Sequence, residues 1–108
     1  MSISTAKPEP TIVIDGYRCR IELDRYTTGQ IDMRLILDTG EPFGHPSYPD
    51  PGTEIAPDEV IFKDYSEYTG YPEIFIRAGI ARSTGRFSRT YGIPILKLLI
   101  AVPPVKRG

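Results

Sequence analysis

Between Tyr17 and Leu37 the chain alternates apolar and polar residues almost without a break. Tyr17, Cys19, Ile21 and Leu23 interleave with Arg18, Arg20, Glu22 and Asp24. After a loop at residues 25–29 the pattern resumes, with Ile31, Met33, Leu35 and Leu37 set against Asp32, Arg34 and Ile36. Period two is the spacing of a strand with one buried and one wet face. Two such strands joined by five residues predict an antiparallel hairpin. Asp15 and Gly16 are a turn signal, so residues 12–14 add a strand before it. A sheet wet on one face needs a cover only on the other, which fits an α+β fold rather than a two-sided parallel sheet.

The cover is expected in residues 58–81. Val60, Ile61 and Phe62 favour a short strand. Tyr71, Ile74, Phe75 and Ala78 then fall at helical spacing on one face, with Glu73 and Arg77 four apart on the other. Ser66 or Thr69 is the expected N-cap, Pro72 fits the first turn, and Gly79 closes the helix with Ile80 packing back. Residues 41–48 hold at most an edge strand, because Pro42 and Pro46 interrupt them. Four prolines in residues 46–57 predict an irregular acidic loop, partly polyproline-like and mobile or dependent on a partner. Residues 82–92 read as a β-ribbon or a loop, and residues 93–100 as a buried last strand. The expectation is a small, mostly antiparallel sheet of four to six strands with one short helix on one face. Residues 1–10 read as a flexible arm, 11–102 as a single domain, and 103–108 as a tail.

The chemistry of the chain is sparse. Cys19 is the only cysteine and His45 the only histidine, too few for a structural zinc. Cys19 falls on an inward strand position, so a buried free thiol is expected, which suits a reducing cytoplasm. Residues 1–10 lack the apolar core of a signal peptide. The most apolar run, residues 93–102, is far shorter than a membrane span. His45 sits in a turn with no nucleophile motif near it, and neither glycine-rich phosphate fingerprint is present. Asp58 and Glu59 are adjacent on a strand and point to opposite faces, which argues against a catalytic carboxylate pair. No enzyme activity and no cofactor are expected.

The charge layout is the feature that points outward. The net charge is −1, yet residues 38–73 hold nine acidic residues and one lysine, and residues 74–108 hold seven basic residues and no acid. Either the two segments face each other and cancel, or they form separate patches. In the second case Asp50, Glu54, Asp58, Glu59, Asp64 and Glu67 could meet a basic partner, with Tyr48, Tyr65, Tyr68 and Tyr71 as aromatic anchors. An alternative is nucleic-acid binding through Arg77, Arg82, Arg86 and Arg89 with Phe87 and Tyr91 between them. The sequence pI of about 5.8 speaks against it. A homodimer could form through the edge of the first hairpin or through the last strand, with Ile36 on the polar face as the hint.

Gly40-Glu41-Pro42-Phe43, Glu59-Val60, Lys63-Asp64-Tyr65-Ser66-Glu67, Ala78-Gly79-Ile80, Thr84-Gly85-Arg86 and Ile93-Pro94 occur in this order. The set resembles a family of small proteins carried by bacterial plasmids, integrative elements and phages, over about residues 38–99. The chain departs from the family at Tyr68, where the family often has Asn, at Pro72, and in a longer proline-rich insert. The family has no established activity, so no catalytic residue carries over. The resemblance implies a mobile-element accessory protein. Its sharpest version is an anti-CRISPR protein that occupies a basic channel of a defence effector through an acidic surface.

Overall fold

A computed structural model describes residues 10–105. The expected N-terminal arm, apart from Pro10, and the last three residues of the expected tail lie outside the described residues. The chain is α+β, with antiparallel pairing throughout and one short helix. It differs from the expectation in having two sheets, of four and three strands.

The first sheet has the order β1-β2-β3-β4. Its strands are β1 (Thr11–Ile14), β2 (Tyr17–Arg25), β3 (Ile31–Leu37) and β4 (Pro42–Gly44). Asp15 and Gly16 join β1 to β2 with φ of 52° and 84°. Two consecutive positive φ values are the signature of a type I′ turn, whose twist matches the flanking strands. The alternation of residues 17–37 sends Cys19, Ile21, Met33 and Leu35 inward, as period two requires. Cys19 is a buried free thiol. Burial, with Asp38 nearby, pushes its pKa up.

The second sheet has the order β5-β7-β6, formed by β5 (Glu59–Ile61), β6 (Ala81–Phe87) and β7 (Pro94–Leu98). Residues 82–87, which the sequence left as ribbon or loop, are therefore strand. The last strand lies between two neighbours, so it has no free edge to offer another copy. Strands β2 and β3 of the first hairpin likewise lie between β1 and β4, so neither of the two dimer routes suggested by the sequence has the free edge it needs.

Helix α1 (Tyr71–Arg77) sets Tyr71 and Phe75 into the core. Phe75 meets Phe62 edge to face, with ring centroids 4.8 Å apart. Around this pair Ile12, Ile14, Cys19, Met33 and Leu35 of the first sheet meet Val60, Leu96 and Leu98 of the second. A smaller apolar cluster of Ile61, Ile93 and Ile95, with Tyr48 and Ile55 against it, lies apart from this core.

The C-terminal end of α1 follows the sequence reading. Gly79 takes φ of 76°, its N–H bonds the Ile76 carbonyl at 3.1 Å, and the Ile80 N–H bonds the Phe75 carbonyl at 3.1 Å. Those two bonds make a Schellman motif. The N-terminal end does not follow it. Neither Ser66 nor Thr69 caps the helix. Gly70 is the N-cap, with φ of 86° and no side-chain cap bond. Ser66 opens a separate 3₁₀ turn, Ser66–Tyr68, and the Thr69 hydroxyl donates back to the Ser66 carbonyl at 2.9 Å. The Asp64 carboxylate instead accepts the Gly70 N–H at 2.8 Å.

If α1 is seated in the core through Phe75, Phe75→Ala should lower the unfolding free energy by about 3–5 kcal/mol. Gly79→Ala, at a position with open space around it, should lower it by about 1–2 kcal/mol through backbone strain alone. Urea unfolding followed by circular dichroism measures both, and the opposite order would contradict this seating.

Candidate functional site

The acidic segment divides into carboxylates that the fold consumes and carboxylates that it leaves outside. Asp50 belongs to the first group. It was expected at a partner surface, yet it is only 1% exposed. Its carboxylate accepts the Gly52 N–H at 3.1 Å, the Thr53 hydroxyl at 2.7 Å, and the Thr90 N–H and hydroxyl at 3.1 and 2.8 Å. Burial alone would raise its pKa, but the bonds from Thr53, Thr90 and Gly52 outweigh it and the net direction is down. The Gln30 side chain, just before β3, secures the same loop. It donates to the carbonyls of Asp50 and Thr53 at 2.7 and 3.0 Å and accepts the Asp50 N–H at 2.7 Å. Residues 46–57 are thus irregular, as expected, but pinned at several points rather than loose.

Asp58 and Glu59 are also committed. Asp58 accepts from Lys97. That bond outweighs burial and lowers its pKa. Glu59 pairs with Arg86 and accepts the Ala56 N–H at 2.8 Å. Its pKa falls, chiefly through the Arg86 bond, while the same bond raises that of Arg86. At these positions the acidic and basic segments face each other and cancel.

Glu54, Asp64 and Glu67 stay exposed. Asp64 and Glu67 flank Tyr65, whose ring is 42% exposed, and Tyr68 lies half-buried in the same turn. These residues join a run of tyrosines. Tyr91, 49% exposed, meets Tyr48 edge-on at 4.7 Å. Lys63 lies 5.9 Å from the Tyr48 ring centroid and 4.7 Å from that of Tyr68. Tyr68 meets Tyr71 at 5.0 Å. The Lys63 ammonium, whose pKa burial lowers, donates to the His45 carbonyl at 2.6 Å. The tyrosine faces lie around it, and Glu67 is near enough to favour its charge.

His45 is built in more firmly than a surface turn histidine. Its Nε2 lies 2.6 Å from Asp32 Oδ1 and 2.9 Å from the Tyr26 hydroxyl. The Tyr26 hydroxyl lies 2.9 Å from Ser47 Oγ. Burial pushes the Tyr26 pKa up to about 12. Ser47 is fully buried and accepts the Met33 N–H at 2.8 Å, so this chain of polar groups is anchored in the core. It fixes the loop that carries Tyr48. The backbone N–H of His45 donates to the Tyr68 hydroxyl at 2.9 Å, which ties Tyr68 to the same loop.

The arginine segment is only partly a unit. Arg86, Phe87 and Arg89 line an open groove of about 680 Å³ with residues 51–54 and Ile95. Phe87 is 60% exposed. Glu54 stands in that groove, Tyr91 belongs with the tyrosines, and Arg82 lies near enough to Asp58 to contribute to lowering its pKa. Among the described residues no three His, Cys, Asp or Glu side chains converge as metal ligands, and no helix is long and apolar enough to cross a membrane. No protein family, curated protein or solved structure matches the chain.

A lowered pKa sets the sign of a pH effect. The stability that Asp50 contributes is fully present above its unfolded pKa, about 3.9, and is lost as pH falls through the lower folded value. Asp50→Asn should therefore unfold at lower urea than the native chain at neutral pH, and the gap should narrow below about pH 4. Urea titrations at several pH values measure this, and a gap that does not change with pH would contradict it.

Proposed function

We propose that the chain is a non-enzymatic binding protein whose contact surface is the tyrosine run with the exposed carboxylates beside it. The observation that carries this is the exposure of Tyr65 and Tyr91, with Tyr91 edge-on to Tyr48, Tyr65 in the neighbourhood of Tyr48 and Tyr68, and Asp64 and Glu67 beside Tyr65 in the chain. Tyrosine gives large, stiff, amphipathic contact area at low entropic cost, and it is enriched where proteins hold other proteins. The carboxylates select a basic partner. Compared with the sequence expectation, the acidic face is narrower. Asp64 and Glu67 carry it, because Asp50 is buried, Asp58 and Glu59 are paired with Lys97 and Arg86, and Glu54 stands in the groove with Arg86 and Arg89.

The partner class comes from the motif resemblance. We propose a mobile-element accessory protein, acting in the cytoplasm of a bacterial host, that blocks a nucleic-acid-binding defence complex of the CRISPR type. A carboxylate and tyrosine surface suits a channel lined with lysine and arginine.

A second reading is supported by one observation, the exposed Phe87 beside Arg89 in the groove. It makes the chain a nucleic-acid accessory factor that stacks bases on Phe87. Anisotropy with labelled single-stranded DNA at low salt distinguishes the two readings.

The test of the first reading is a binding assay of the purified chain against CRISPR effector complexes. Tyr65→Ala and Glu67→Lys should each weaken capture about tenfold or more, equal to about 1.4 kcal/mol, with unfolding midpoints unchanged. Arg89→Ala should leave capture unchanged. Capture that ignores both changes would contradict this surface, and capture lost with Arg89→Ala would favour the groove.

A further inference from the structure

The two sheets have four outer edges, and three of them are guarded. Strand β4 is three residues long, begins with Pro42, and pairs across an irregularity between Leu35 and Ile36. The outer side of β5 is closed by the proline-rich loop. Ser47 bridges to Phe62, and Tyr48 N–H bonds the Ile61 carbonyl at 3.0 Å. Strand β6 carries a bulge between Ser83 and Arg86, a Gly85 with φ of 75°, and exposed Arg82 and Arg86. Proline, bulges, short length, cover and charge are the devices by which proteins keep open edges from pairing.

Apart from its length of four residues, strand β1 shows none of these devices among the described residues. It reads Thr-Ile-Val-Ile, all β-branched, with no charge, proline or bulge. The Ile21 N–H bonds the Pro10 carbonyl at 2.9 Å, and Ile12 and Ile14 pair with Cys19 and Tyr17. In an antiparallel ladder the bonded positions alternate. Pro10, Ile12 and Ile14 therefore face β2, and the N–H and C=O groups of Thr11 and Val13 point away from it. Val13 is 60% exposed.

We propose that β1 is the interface through which two copies of this chain pair, antiparallel about a two-fold axis at Val13. The register follows from which groups point outward. Val13 and its counterpart exchange both backbone bonds. Ile12 then faces Ile14 of the second copy, so the inward row continues across the junction. Thr11 lies beside the turn residue Asp15 of the second copy, Arg20 keeps its pair with Glu22 at 3.6 Å, and no like charges are placed opposite one another. A one-residue slip would turn the apolar row outward. Two four-stranded sheets become one continuous eight-stranded sheet. This interface is independent of the tyrosine surface.

Sedimentation velocity of the full chain, from low micromolar to near-millimolar concentration, tests it. The native chain should sediment at twice its 12.1 kDa mass as concentration rises. Val13→Lys, which installs the guard that β1 lacks, should weaken the dimer about tenfold or more. Val13→Thr should retain it, and Tyr65→Ala should leave it unchanged. Amide exchange at Val13 should slow as concentration rises. A native chain that stays monomeric throughout would overturn the proposal. So would a dimer indifferent to Val13→Lys, or one dissolved by Tyr65→Ala instead.

Discussion

The Asp50 carboxylate is the contact on which the outer part of this fold depends. It stands at the meeting point of two segments that have no secondary structure of their own, the proline-rich loop and the turn after β6. It accepts bonds from both, two of them from Thr90. A buried carboxylate is unfavourable unless its oxygens are occupied, and here Gly52, Thr53 and Thr90 occupy them. With the loop held by Asp50 and Gln30, Ile55 and Tyr48 pack against Ile61, Ile93 and Ile95. The same placement sets Tyr48 against Tyr91. The Tyr48–Tyr91 part of the tyrosine surface therefore depends on how one acid is buried, and the Tyr68 part on the bonds of His45.

The molecule uses its charge in two ways. Where the acidic and basic segments cross in space, at Asp58 with Lys97 and Glu59 with Arg86, they neutralise each other beside the ladder of β5, β7 and β6. Where the chain leaves the sheet, at residues 64–67, the acids have no basic segment opposite them and stay at the surface. A sequence tally of nine acids in one segment overstates what a partner would meet, because strand pairing has already matched part of it.

The parts legible in the sequence were those set by local chemistry. The first hairpin followed from period two, its turn from Asp15 and Gly16, and the end of α1 from Gly79 and Ile80. Each depends on residues within a few positions of one another. The second sheet was not legible, because β5 pairs with β7 more than thirty residues later and nothing local encodes that partner. The start of α1 was misread because Ser66, Thr69 and Gly70 are all competent caps. The course of the turn, fixed by Asp64, decides among them. The pinning of the loop was invisible because Gln30, twenty residues from Asp50, looks like any polar loop residue. At the candidate surface Tyr65 and Tyr68 were legible, while the place of Lys63 and His45 among the tyrosines was not. The one signal for Lys63 was that it is the only base among nine acids.

The central claim is that Asp50, Asp58 and Glu59 are committed inside the fold rather than offered to a partner. Carboxyl ¹³C NMR titration of the native chain measures this residue by residue. The account predicts that all three titrate below the ordinary range for aspartate and glutamate, about 3.9 and 4.3, with Asp50 lowered although it is buried. Asp50 titrating at or above its ordinary value, or Asp58 and Glu59 titrating as free side chains, would contradict it.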